Sequence, residues 1–345
     1  MSIENSNAIK IGLVGYGNLS KAILQASQNH KDILVSTIFT RRNPKRLKQP
    51  PQETKLHHIS ILDSYISDNE KYFDKENITE ISNPFNIDVL ILCGGSMSDL
   101  PEQTPKYARF FNVIDSYDNH NHIQQHYKNV DIAASKGQRL ALISIGWDPG
   151  LFSLFRLMFS SILPDGKIYT FWGPGISQGH SDAIRQIEGV VDARQYTIPL
   201  ASAINRVQSG ENPDLCATDR HLRKCYVVAK ESADKDEIAK RILNMPDYFQ
   251  GYKTEINFIT KEELDEKHAS FPHKGRTILS ESNTFCELKV DMASNPKFTA
   301  NILLSYAKAC HKMFCEGQTG CKTIFDVPVS YLNTSDVHNI FSKYL

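Results

Sequence analysis

The sequence contains no C-x-x-C pair, and its seven cysteines stand singly at positions 93, 216, 225, 286, 310, 315 and 321. Their odd number and scatter exclude a disulfide framework and a zinc ribbon, and a reducing compartment fits them best. A surplus of charge is missing too, because 39 Lys and Arg balance 39 Asp and Glu. Without basic excess there is no general footprint for a phosphate backbone, so nucleic acid is not an expected partner. No apolar run reaches 18 residues, and the opening MSIENSNAIK lacks a basic segment followed by an apolar stretch. A cytoplasmic protein with no membrane partner is expected. The chain also lacks an internal repeat, a low-complexity tract and an H-E-x-x-H motif, and no metal site is read from it. What remains is ordinary for a folding chain: 345 residues, 41% apolar and 23% charged, enough for about two domains with real cores.

IKIGLV (9–14) is a short apolar run closed by GYGN, followed by apolar residues at helical spacing, Leu19, Ala22, Ile23 and Ala26. Strand, glycine turn and helix are followed by a second apolar run at 33–39, which completes a βαβ unit. IDVLILC (87–93) and RLALISI (139–145) read as further strands buried on both faces, with helices predicted over 101–112 and 120–136. The fold class expected is therefore α/β, with a Rossmann-like doubly wound domain over residues 1–147. Residues 43–86, rich in Pro, Lys, Asn, Asp and Glu, interrupt the rhythm and read as an inserted surface excursion, with one possible helix over 59–73. After Trp147, KIYTFW, RKCYVVA and YKTEINFI alternate with helical stretches at 200–209 and 234–243. This predicts a second, α+β domain over 148–297 with antiparallel strands. The stripe Phe298, Ile302, Tyr306, Cys310 and Met313 predicts a long helix in the remaining segment, 298–345.

The glycine turn reads G-x-G-x-x-S, with Gly15 permitting the tight turn and Gly17 admitting a pyrophosphate to backbone N–H groups. Ser20 takes the place of the third small residue. At the end of the second run, where an acidic residue would bond a ribose 2′-hydroxyl, the chain has Thr40, Arg41 and Arg42. A hydroxyl and two guanidiniums favour a 2′-phosphate, so NADP is the expected cofactor. Cys93 in CGGS (93–96) sits at a strand end, but no activating base is visible, which points to a lining residue rather than a nucleophile. His122 and His126 have an i, i+4 spacing a metal could use, but with no H-E-x-x-H pattern beside them a solvated helix face is the expected setting. Asp118 and Asp148 are two acids at strand ends that could meet an ammonium group. FWGPGISQGHSDA (171–183) offers Gly173, Gly175 and Gly179 as sources of open N–H groups for a carboxylate, with His221, Arg223 and His273 as cations. Spacing alone does not make these residues converge.

GYGNL (15–19), FTRR (39–42), LCGGS (92–96), DSYDNH (115–120), GWDPG (146–150), FWGPGISQGHSDA (171–183), MPDYF (245–249) and NPKFTA (295–300) occur in an order that resembles the meso-diaminopimelate D-dehydrogenase family. The resemblance spans about Ile9 to Val327 and implies a homodimeric, NADP-dependent enzyme of diaminopimelate and lysine biosynthesis. Its implied reaction interconverts meso-2,6-diaminopimelate with L-2-amino-6-oxopimelate and ammonia.

Carried over by position, the resemblance implies that Gly15, Tyr16, Gly17, Asn18 and Leu19 hold the pyrophosphate and Thr40, Arg41 and Arg42 the 2′-phosphate. Cys93, Gly94, Gly95, Ser96, Ser116 and Tyr117 would line the nicotinamide side. The implied substrate set is Asp118, Asp148, Trp172, Gln178, Gly179, Thr197, Arg223, His273 and Asn295, with Asp118 and Asp148 as the catalytic acids. The C-terminal segment would return to the cofactor domain. Two readings stay open on the residues alone: an NADP-dependent dehydrogenase of another amino acid or an aldehyde, and a non-catalytic NADP-binding protein.

Overall fold

The computed structural model describes residues 8–51, 53–70, 83–246, 248–270, 272–281, 284–333 and 337–345. The chain divides into two compact units, Met1–Leu151 with Pro296–Leu345, and Phe152–Asn295.

In the first unit the near-continuous apolar runs become parallel strands: β1 (Ile9–Val14), β2 (Ile33–Thr40), β3 (Lys55–His58), β4 (Val89–Leu92), β5 (Val113–Asp115) and β6 (Leu140–Leu142). All four residues of β4 are buried, as expected for a strand covered on both faces. The sheet order places β4, β5 and β6 on one side of β1 and β2 and β3 on the other. The carboxyl ends of β1 and β4 therefore form the switch point at which doubly wound sheets bind ligands. Helix Asn18–Ser27 buries Ser20, Ala22, Ile23 and Ala26 on one face. Helices Ile59–Glu70, Leu100–Ala108 and Ile123–Lys136 add Leu62, Tyr107 and Val130 to a core that includes Phe39, Leu90 and Val113.

One stretch of this unit differs from the sequence reading. The stretch 43–86 does not stand outside the domain throughout, because β3 pairs in parallel with β2 and Leu62 and Ile66 of the following helix are buried. The polar composition reflects an edge strand of only four residues, too short to register as an apolar run. Residues 71–82 of that stretch lie outside the described residues.

In the second unit six strands form one mixed sheet: β7 (Lys167–Ser177), β8 (Val190–Pro199), β9 (His221–Ala229), β10 (Thr254–Phe258), β11 (His273–Glu281) and β12 (Thr284–Met292), in the order β10-β9-β8-β7-β11-β12. Helices Gln178–Arg185 and Lys235–Leu243 cover one face, packing Ile184, Ile238 and Ile242 on Ala193, Cys225 and Val227. Four of the five pairings are antiparallel, but β10 runs parallel to β9. The wholly antiparallel expectation fails there because the helix between the two strands acts as a crossover. The chain then returns to the first unit through helix Asn295–Cys315 and ends its sheet with β13 (Gly320–Lys322), parallel to β6.

Candidate active site

At the carboxyl end of β1, Gly15 has φ of +102° and donates its N–H to the Phe39 carbonyl at 2.8 Å. That left-handed backbone favours glycine. A Cβ on Gly17 would meet nothing within 4 Å, so the approach to helix Asn18–Ser27 is open. This helix has no side-chain cap and no acidic residue in its first turn, which leaves its amide dipoles available to an anion. Asn18 and Leu19 open the helix, and Tyr16 is buried with its hydroxyl donating to the Lys48 carbonyl at 3.0 Å. Ser20 is fully buried and donates to the Gly15 carbonyl at 2.9 Å, so its hydroxyl is satisfied in the place of a third glycine.

At the end of β2, the hydroxyl of Thr40 accepts the Arg42 N–H at 3.3 Å, and the Arg42 guanidinium donates to the Tyr16 carbonyl. Arg41 is exposed and pairs through both terminal nitrogens with Asp99, at 2.9 and 3.3 Å. An open glycine, an uncapped helix and two guanidiniums fit a dinucleotide with a 2′-phosphate. Burial pushes the Cys93 thiol up to about 12, with Ser20 opposing. A thiol that stays protonated at neutral pH lines a site but does not attack a carbonyl.

The turns after β4 and β5 are joined where the Asp118 N–H donates to the Ser96 hydroxyl at 3.1 Å. The chain enters the second turn from Asp115, through half-buried Ser116 and buried Tyr117. Asp115 is fully buried, and its carboxylate accepts four hydrogen bonds: Tyr117 N–H at 3.0 Å, Ser144 N–H at 2.9 Å, the Thr104 hydroxyl at 2.8 Å and His126 Nε2 at 2.7 Å. The His126 ring also stacks on Tyr117 with centroids 4.0 Å apart. His126 therefore does not belong to a solvated helix face. It continues the buried stripe of Val130 and Ala134 at four-residue spacing, the signal that could have placed it inside.

Desolvation by the surrounding protein raises the Asp118 carboxyl above its ordinary value, against the Ser96 hydrogen bond and His120. The residue keeps water-accessible surface, so crowding rather than full enclosure is the cause. Asp148 is half-buried on the loop Gly146–Gly150, whose ends bridge each other while the Leu151 N–H donates to the Gly146 carbonyl at 3.1 Å. A Cβ on Gly150 would lie 1.6 Å from the Gly146 oxygen, so this closure needs glycine.

The second unit assembles its predicted residues by strand register. Arg223 on β9 lies opposite Thr197 on β8, Thr197 opposite Gly175 on β7, and Gly175 opposite His273 on β11. Directly opposed residues share a face, so Arg223, Thr197 and His273 stand in one row across four strands. All three are buried, at 6%, 3% and 5% exposure. A Cβ at Gly175 would come within 2.4 Å of the His273 ring, which shows that the missing side chain makes room for the imidazole. Arg223 donates to the Thr197 hydroxyl at 2.5 Å and lies over the Tyr252 ring, 4.2 Å from its centroid. Its Nε is buried with no hydrogen-bond partner. Among the described residues no Asp or Glu pairs with it. Tyr252 was not singled out in the sequence, where its separation from Arg223 carries no periodic signal.

Three expectations for this unit are corrected. Gly173 and Gly175 lie within β7 and do not form an open loop. A Cβ at Gly173 would lie 1.9 Å from the Thr197 carbonyl oxygen, so close strand approach explains both glycines. Only Gly179, second residue of helix Gln178–Arg185 after Gln178, has nothing within 4 Å of its Cβ position. His221 is not a cation either. It accepts the Trp172 N–H at 2.8 Å, stacks on that indole at 5.2 Å, and is held down to about 3 by burial, then by Arg223 and Arg220, despite the Ala217 carbonyl. His273 is likewise lowered by burial, to about 4, and its Nδ1 meets the Lys274 carbonyl at 2.8 Å. A neutral Nδ1–H tautomer therefore presents Nε2 as an acceptor. Asn295 opens the helix that leads out of this unit.

An uncapped helix terminus beside two guanidiniums, followed by a mixed-sheet domain with a buried arginine, fits a two-domain dinucleotide-dependent oxidoreductase. The family model for the diaminopimelic acid dehydrogenase C-terminal domain matches residues 146–293. The meso-diaminopimelate D-dehydrogenase of Acetivibrio thermocellus is 45% identical over 339 residues, covering 96% of each chain. That of Corynebacterium glutamicum is 37% identical, covering 97% of this chain and 98% of the relative. The solved C. glutamicum DAP dehydrogenase in complex with DAP matches with a TM-score of 0.86 at 36% identity, over 98% of this chain and 100% of that one. An engineered D-amino acid dehydrogenase bound to NADP+ matches with a TM-score of 0.85 at 34% identity, with the same coverage. The chain belongs to the meso-diaminopimelate D-dehydrogenase family.

Proposed function

We propose that the protein oxidatively deaminates the D-centre of meso-2,6-diaminopimelate with NADP, reversibly, in diaminopimelate and lysine biosynthesis. Substrate, NADP+ and water give L-2-amino-6-oxopimelate, which cyclises to L-tetrahydrodipicolinate, together with ammonium, NADPH and a proton. The observation that carries this reading is Arg223, a buried guanidinium with an unpartnered Nε and, among the described residues, no acid paired with it. A buried charge without a counter-ion costs several kcal/mol, which an arriving carboxylate offsets through charge-assisted hydrogen bonds.

NADP, when bound, supplies the hydride acceptor. Gly15–Leu19 and the uncapped helix hold its pyrophosphate, Thr40, Arg41 and Arg42 its 2′-phosphate, and Cys93–Ser96, Ser116 and Tyr117 the nicotinamide side. Arg223 and Thr197 bind the carboxylate of the L-centre, with His273 and Asn295 reading the rest of that end. Trp172, Gln178 and Gly179 contact the remaining polar groups. Asp118 and Asp148 face the D-amine, and one of them takes the ammonium proton so that an imine can form and be attacked by water.

We infer a homodimer as well. The helix Leu151–Ile162 leaves Leu157, Met158 and Ile162 exposed at 48%, 49% and 64%, apolar surface that a second copy would cover. All seven cysteines are free thiols, which supports a cytoplasmic setting.

The test is NADPH absorbance with purified protein, NADP and each diaminopimelate stereoisomer in turn. The meso isomer should turn over. The LL isomer should not, because it offers the wrong hydrogen whichever way it enters, and the DD isomer should be poor because its distal end mispairs. Turnover of LL comparable to meso overturns the stereochemical reading.

A further inference from the structure

Arg41, the outermost member of the 2′-phosphate corner, already has an anion in its fork. Its two terminal nitrogens meet the two Asp99 oxygens at 2.9 and 3.3 Å, and the arginine side chain is 69% exposed against 14% for the aspartate. Asp99 is tied down from the other side. Its carboxylate accepts the Gly95 N–H at 3.0 Å, and its own N–H donates to the Gly95 carbonyl at 2.9 Å. Room for this approach comes from Gly94, where a Cβ would lie 2.6 Å from the Asp99 Cβ. The glycines of the CGGS turn thus seat an acid whose partner is a cofactor-binding arginine 58 positions away.

Asp99 occupies the edge of the Arg41 fork made by its two terminal nitrogens, and a phosphate bound at that edge competes with it. Asp99 is the less mobile partner, being mostly covered and bonded to the turn backbone, while Arg41 is open to solvent. The arginine is therefore the group that changes partner.

We propose that Asp99 is a specificity-determining residue for the cofactor: it occupies the Arg41 fork in the free protein, and the 2′-phosphate must displace it. This rests on the assignment of Arg41 to the 2′-phosphate. Binding of NADP, but not of NAD, then includes the cost of breaking the Arg41–Asp99 pair. It also releases the acid at the CGGS turn, linking occupancy of the adenosine end to the turn at the nicotinamide side. Asp99 sets how sharply the protein prefers NADP, and it does so by opposition, because its carboxylate and the 2′-phosphate compete for the same edge of Arg41.

The experiment measures dissociation constants of NADP and NAD by titration of the full-length protein and its Asp99→Asn, Arg41→Ala and doubly substituted variants. Asparagine keeps an oxygen for the Gly95 N–H while removing the competing charge. Asp99→Asn should tighten NADP roughly two- to fivefold, the range an exposed pair allows, and leave NAD within twofold. The gain should vanish when Arg41 is already alanine, and it should shrink in high salt. Unchanged or weaker NADP binding in Asp99→Asn, or a gain that survives without Arg41, overturns the proposal. The underlying assignment fails separately, through Arg41→Ala weakening both cofactors alike. Should Asp99→Asn fold poorly, Asp99→Ser, which also retains an acceptor, is read in the same way.

Discussion

The Arg223 guanidinium is clamped between Thr197, whose hydroxyl it meets at 2.5 Å, and the Tyr252 ring, 4.2 Å below it. Stacking fixes the plane of the fork and the hydroxyl fixes its rotation, so the remaining donors keep one direction. Arg223→Lys retains the charge but loses that geometry, and it should raise KM for meso-diaminopimelate at least about tenfold with NADP affinity unchanged. Tyr252→Leu should raise the same KM by roughly two- to thirtyfold, the worth of a cation–π contact. Steady-state kinetics with each ligand varied separately checks both, and wild-type constants would remove Arg223 from the site.

The raised Asp118 carboxyl bears on pH dependence. A base works only when ionised, so activity that needs Asp118 falls as pH drops through its raised value. The acid limb of kcat/KM should lie above the ordinary carboxylate range and should disappear in Asp118→Asn. Removing the residue that takes the proton should lower kcat by roughly 10² to 10⁴. Full kcat in both Asp118→Asn and Asp148→Asn would show that neither acid does so.

At the cofactor corner, replacing Arg41 and Arg42 together by alanine should weaken NADP binding by about 2–5 kcal/mol, allowing for screening at an exposed rim. NAD binding should change far less. Calorimetric titration of the two cofactors distinguishes this outcome from a general loss.

Two histidines, buried His221 and half-buried His180, make stability sensitive to acid. His180 and His221 are both held to about 3 by burial, with Arg223 adding to each. In the unfolded chain they titrate near 6.5, so below that pH the unfolded state binds more protons and stability falls until the folded values are reached. At pH 5 the loss is about 2 kcal/mol per histidine. Urea melts at pH 7 and pH 5 should show it. In His221→Asn the slope between the two should be shallower.

Asp115 and His126 give the largest expected stability effect. His126→Ala leaves a fully buried carboxylate without its closest partner, at 2.7 Å, and should destabilise the first unit by about 3 kcal/mol. The melting temperature would drop by several degrees. A shift within 1 °C would mean that water or another group replaces the imidazole.

The doubly wound half of the molecule was readable because its strands are apolar throughout and its glycine turn sits between a strand and a helix, so local pattern and global role coincide. β3 was missed for the opposite reason. It is an edge strand, KLHH, with no fully buried residue, and nothing in its composition separates it from a loop. FWGPG misled because glycine serves both open turns and close strand packing, and only the register beside Thr197 and His273 decides between them. The charge states of His221 and His273 were likewise beyond the sequence, since they depend on desolvation by distant residues. The set of substrate residues came from family resemblance. The alignment of Arg223, Thr197 and His273 in one lateral row came from strand pairing.

The first unit is written in two pieces, and its last strand has a consequence for how the protein is made. Cys321 lies beside Ala141 in the sheet, with the whole second unit between them in the chain. During synthesis residues 152–295 emerge as one contiguous block and can fold while the earlier sheet still ends at β6. Until residue 322 has left the ribosome, β6 offers an unpaired edge of backbone N–H and carbonyl groups to any neighbouring strand. Completion of the first unit's sheet therefore waits until β13 has emerged. A nascent chain stalled just past helix Asn295–Cys315 would carry a finished second unit and an open, aggregation-prone first one.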